Sequence, residues 1–100
     1  MNARLTKAEI IRRLKEEKPY LIRNFGVVDI GLFGSYAKGK VREDSDIDII
    51  VELIEPRFDW LAGLQVYLEK KFNHKIEIVR KIPKKDNRFN KRVEKEIIYA

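Results

Sequence analysis

Apolar and charged positions alternate along this chain with two different periods, and each change of period marks a new element. Ile10, Ile11 and Leu14 recur at helical spacing behind Thr6 and Glu9, a Thr-x-x-Glu pair with the form of a capping box, which predicts a helix from Lys7 to Glu17. Proline is favoured at a first helical position, so Pro19 reads as the start of a second short helix, PYLIRNF, that Gly26 ends. VVDIGLF is rich in β-branched residues and reads as a strand. It runs into GSYAKG, whose small residues suit a tight turn with one helical turn, and then into a charged loop, KVRED. DIDIIVEL alternates with period two, placing Ile47, Ile49, Val51 and Leu53 on one face and Asp46, Asp48, Ile50 and Glu52 on the other. After Pro56 the period returns to 3.6 through Trp60, Leu61, Leu64, Tyr67, Leu68 and Phe72, so FDWLAGLQVYLEKKF is an amphipathic helix ending near Asn73. KIEIV is a third strand, with Ile76 and Ile78 toward the core and Glu77 on the opposite side. A basic connection, RKIPKKDNRFN, leads to a last helix with Val93, Ile97 and Ile98 as its apolar face.

Strands separated by helices usually share one sheet with the helices packed on it, so the expected class is α/β or α+β: a small mixed sheet of about three strands flanked by helices. One hundred residues hold about one domain, expected here over 1–100. Cysteine is absent, which excludes a disulfide scaffold, a thiolate metal site and a cysteine nucleophile. The first residues lack an apolar signal-like core and no apolar run approaches the ~18 residues of a membrane span, so the expected location is the cytoplasm. A net charge of +6 favours polyanionic ligands such as nucleotides, RNA or an acidic protein surface. Heavy use of Lys, Arg and Glu fits a thermophile's ion-paired surface equally well.

The chemistry concentrates between Gly31 and Ile50, a stretch that holds both serines of the chain. Asp46 and Asp48, two apart on a strand, point their carboxylates to one face, and Glu77 joins them if its strand lies alongside. Such anions repel unless one is protonated or a hard divalent ion with oxygen ligands lies among them, and three converging acids suggest Mg²⁺. Upstream, a strand ending in Gly34 and Ser35 at the start of a helical turn offers backbone N–H groups and a hydroxyl to a phosphate, with Lys38, Lys40 and Arg42 nearby. One nucleoside triphosphate with its metal would bridge the two parts, an arrangement suited to in-line attack on phosphorus. GSYAKGKV has the glycine spacing of a Walker A loop, but Val41 stands where Ser or Thr must meet Mg²⁺, and GLFGSYAKG fails the dinucleotide-binding spacing. His74, the one histidine, reads as a structural or solvated residue.

With LFGSYAKG and then SDIDIIV, ten residues standing between Ser35 and Asp46, the sequence resembles the minimal nucleotidyltransferases of the DNA polymerase β superfamily, over nearly the whole chain. The resemblance implies the nucleotidyltransferase fold, with Gly34, Ser35 and Lys38 holding the triphosphate of ATP. It also implies that Asp46 and Asp48 ligate two Mg²⁺ ions and that Glu77 takes the place of a third carboxylate, most often Asp in the family. Many members are antitoxins paired with a HEPN-domain toxin, and characterised ones transfer AMP to a tyrosine of that toxin. One hundred residues are expected to leave no room for the further acceptor-holding domain of larger relatives, so a protein partner is expected to supply the hydroxyl. Trp60, Tyr67 and Phe72 form either a docking surface or core, and the basic connection either touches RNA or toxin or is solvated. Two other functions stay open: a binding module that neutralises its partner without catalysis, and a basic RNA-binding domain.

Overall fold

The computed structural model describes residues 5–41, 45–81 and 97–100 of the chain. Helix α1 (Lys7–Phe25) opens on Thr6, whose hydroxyl accepts from the Glu9 amide at 3.2 Å, so the capping box is real on that side. It does not break before Pro19: the two helices expected from the sequence are one. An interior proline costs roughly 3 kcal/mol. Against that cost, Ile10, Leu14 and Leu21 are all fully buried, and only an unbroken helix keeps Leu21 on the stripe set by the first two. Gly26, at φ 63°, ends α1 by returning its N–H to the Leu21 carbonyl.

Strand β1 (Val27–Phe33) continues directly into the short helix α2 (Gly34–Lys38), and the chain returns as β2 (Ile47–Leu53). Helix α3 (Phe58–Phe72), closed by Asn73 in the left-handed region, then crosses over to β3 (Ile76–Arg80). The sheet order is β3-β2-β1-β4, with β1 antiparallel to β2 and β2 parallel to β3. A parallel pair needs a crossover of a dozen or more residues, which α3 provides. The fourth strand, β4 (Ile98–Tyr99), lies antiparallel to β1. The sheet therefore has four strands rather than about three, and Ile98, read as helical from the sequence, is in a strand. Two residues are too few to show a period, and their pairing with Gly31 and Leu32 cannot be seen locally. Val93, Arg42 and most of the basic connection lie outside the described residues.

The core lies between α1, α3 and one face of the sheet, where Ile30, Leu32, Ile47, Ile49, Val51, Leu64, Leu68 and Ile76 are buried. Ile50, placed by alternation on the polar face, is also buried. It pairs with Gly31, whose absent side chain makes room for Ile97: a Cβ there would stand 2.5 Å from the Ile97 Cγ2. Of the three aromatics left between core and docking surface, Phe72 is core. Trp60 packs flat against the Cα of Gly26, and Tyr67 stacks on Tyr20 with ring centroids 4.7 Å apart. On the outer side of β3, Gln65 and Glu69 of α3 take up the strand's first polar groups. Gln65 Nε2 donates to the Ile76 carbonyl at 2.9 Å, and the Ile76 N–H donates to Glu69 Oε2 at 3.2 Å.

Candidate nucleotidyl-transfer site

The parallel register sets Asp48 of β2 directly beside Glu77 of β3, and the antiparallel register sets Phe33 of β1 on its other side. Two acids predicted only to share a face are thus neighbours across one strand gap, close enough for a hydrogen bond between their carboxyl groups. The Asp48 carboxyl is pushed up to about 6, first because it is partly buried and then because the negative charges of Glu77 and Asp46 lie near it. Glu77 is exposed, whereas Asp46 and Asp48 are half-buried.

The turn after β1 reaches the same place. Gly34 adopts φ +76°, and a Cβ there would overlap the Asp48 carboxylate and lie 3.0 Å from its Cγ. Only glycine both tolerates that backbone and lets the turn press against the acid. Helix α2 begins with no side chain capping it at Phe33 and ends at Gly39, where the Lys40 N–H returns to the Ser35 carbonyl at 2.9 Å. Ser35 is half-buried and Lys38 is exposed on the last turn. Four of the residues singled out by the sequence, Gly34, Asp46, Asp48 and Glu77, are therefore drawn together. Ser35 follows Gly34 in the turn, and Lys38 stands a helical turn further on.

Among the described residues, no three His, Cys, Asp or Glu side chains already stand as a closed metal site. The donor chemistry nevertheless fits a hard divalent cation: every candidate ligand is a carboxylate oxygen, and Asp48 is held toward its protonated form by burial and then by its acidic neighbours, whose repulsion a cation offsets.

His74, read from the sequence as structural or solvated, has a side-chain partner in the fold. Its Nε2 lies 3.1 Å from the hydroxyl of Tyr36, a residue of α2 that is only 2% exposed. The partners are 38 residues apart, so no local pattern announces them.

A strand, a glycine turn pressed on an Asp-x-Asp strand and a third acid on the parallel neighbour together make up the candidate site. Residues 7–100 match the profile of the nucleotidyltransferase domain family, and the chain belongs to that family. Within it, the chain is a minimal, MntA-like member. The protein adenylyltransferase MntA of Thermococcus cleftensis is 39% identical over 99 residues, spanning 98% of this chain and 99% of that one. A solved structure assigned as a minimal nucleotidyltransferase superposes with a TM-score of 0.74 at 31% identity, covering 97% of this chain and 98% of the other. A crystal structure of a toxin-antitoxin with AMP-PNP has a TM-score of 0.54 at 26% identity, over 66% of this chain and 56% of that chain. No helix among the described residues is long and apolar enough to cross a membrane.

Proposed function

We propose that the chain is a Mg²⁺-dependent protein adenylyltransferase that moves AMP from ATP onto a tyrosine hydroxyl of a HEPN-type toxin and so acts as its cytoplasmic antitoxin. The observation that carries this reading is the close approach of Gly34 to Asp48, which supports a single site shared by the glycine turn and the carboxylates. The adenylyltransferase name of the Thermococcus relative and the AMP-PNP bound to a structurally similar toxin-antitoxin support the choice of ATP and of a toxin partner.

In this reading the backbone of Gly34 and Ser35, with Lys38, holds the triphosphate, while Asp46, Asp48 and Glu77 hold two Mg²⁺ ions. When bound, these ions supply positive charge to the triphosphate and favour the ionised form of the attacking hydroxyl. The tyrosine oxygen forms a bond to the α-phosphorus, the bond from that phosphorus to the α,β-bridging oxygen breaks, and pyrophosphate leaves. Glu77, the exposed carboxylate on the open side, takes the hydroxyl proton on its Oε.

The test is incubation with α-labelled ATP and Mg²⁺, with and without the partner. Label on the partner that disappears with Asp46→Asn supports the reading; label that survives both Asp46→Asn and Asp48→Asn overturns it. The exposure of Glu77, one methylene longer than the family's usual Asp, favours a second reading: neutralisation by binding alone. An Asp46→Asn, Asp48→Asn double variant that still silences the partner would establish that alternative.

A further inference from the structure

The one histidine of the chain closes a hydrogen-bonded path between the two halves of the site. His74 Nδ1 lies 3.0 Å from the carbonyl of Lys75, and only a ring N–H can donate there, so Nδ1 carries the hydrogen. In the neutral ring Nε2 is then an acceptor, and the Tyr36 hydroxyl donates to it across 3.1 Å. The same Lys75 carbonyl accepts from the N–H of Ile47 at 3.1 Å. Ile47 is the residue between Asp46 and Asp48, and Tyr36 is two residues beyond Gly34. The path therefore runs from the helical turn that follows Gly34, through the imidazole, to the backbone that carries both aspartates.

We infer that Tyr36 and His74 are positioning residues that fix the triphosphate-binding turn relative to the Asp46–Asp48 strand segment. This inference rests on the functional reading above. A five-residue helix makes few hydrogen bonds of its own, so its placement depends on side chains anchored elsewhere. Tyr36 supplies the anchor: its ring is buried in the core and meets the imidazole edge-on, with centroids 5.8 Å apart. A small misplacement of a positioned group can cost a large factor in binding and rate, even when the fold is intact.

The experiment measures the Kd of ATP with Mg²⁺, the KM values of ATP and of the protein acceptor, and the melting temperature. The proteins are the wild type, Tyr36→Phe, His74→Ala, His74→Gln and the Tyr36→Phe, His74→Ala double variant. Losing a buried hydrogen bond of this kind should raise the Kd and KM of ATP about tenfold in Tyr36→Phe and His74→Ala. The double variant should be no worse than either, the acceptor KM should not move, and His74→Gln, whose Oε1 can still accept from Tyr36, should recover most of the ATP affinity. Variants that melt earlier but bind ATP as the wild type does would reduce the pair to an ordinary core hydrogen bond and overturn the inference. Should the wild type bind ATP yet label no partner, the transfer reading fails while the Kd ratios still decide the role of the pair. A wild type that binds no ATP overturns both.

Discussion

Asp48 is kept partly protonated near neutral pH by burial and by Glu77 and Asp46, so its carboxyl binds protons more tightly in the folded chain than in the unfolded one. The sign follows: below the unfolded value near 4 both states are protonated and nothing is lost, and as pH rises through about 6 the folded state must ionise an acid it would rather keep neutral. In the absence of divalent ions, Asp48→Asn should therefore stabilise the fold at pH 8, by roughly 1 kcal/mol once solvent screening is allowed for, and the effect should vanish as pH falls below the unfolded value. Urea unfolding across this pH range checks this, and the same variant should transfer no AMP. Gly34→Ala should lose both stability and nucleotide binding. Its left-handed backbone costs an alanine about 1–2 kcal/mol before the overlap with Asp48 is counted, and a melting curve with an ATP titration reads both. At this scale the candidate site was largely legible, because Gly34, Ser35, Asp46 and Asp48 form a short motif. The adjacency of Glu77 was legible only on the condition that its strand lay beside β2. The tie between Tyr36 and His74 was not legible, since it depends on where two distant segments meet.

Elements followed their periods where packing and local preference agreed, as in α3, whose Asn73 stop falls where the apolar repeat ends. They departed where packing won. Pro19 predicts a boundary from backbone chemistry alone, but the burial of Leu21 beside Ile10 and Leu14 holds α1 together through it. Strand β3 depends on another element for its outer edge, since Gln65 and Glu69 satisfy both polar groups of Ile76. Glu69→Ala leaves the Ile76 N–H and the Gln65 amide without this acceptor and should cost about 1–3 kcal/mol in unfolding free energy. Because Ile76 immediately precedes Glu77, the variant should also weaken metal-dependent ATP binding, measurable by titration at fixed temperature.

The whole molecule carries +6, and its candidate ligand is a polyanion. Affinity for ATP should accordingly fall as KCl is raised, because part of the attraction is long-range and screened over about 8 Å at physiological ionic strength. A titration series across salt concentrations checks this. The sheet order was the least legible feature of the sequence: alternation shows that strands exist, whereas the pairing of β4 with β1 joins Gly31 to Tyr99 across most of the chain. That pairing also has a kinetic meaning. Its two residues close a very long loop for few hydrogen bonds, so β4 should be the last strand to dock during folding and the first to detach in the native state. In hydrogen exchange, the Ala100 amide, which bonds to the Ile30 carbonyl at 2.9 Å, should lose its protection well before the amides shared by β1 and β2. The sheet would then open from the β4 side, leaving the strand that carries Asp48 as the slowest-exchanging part of the protein.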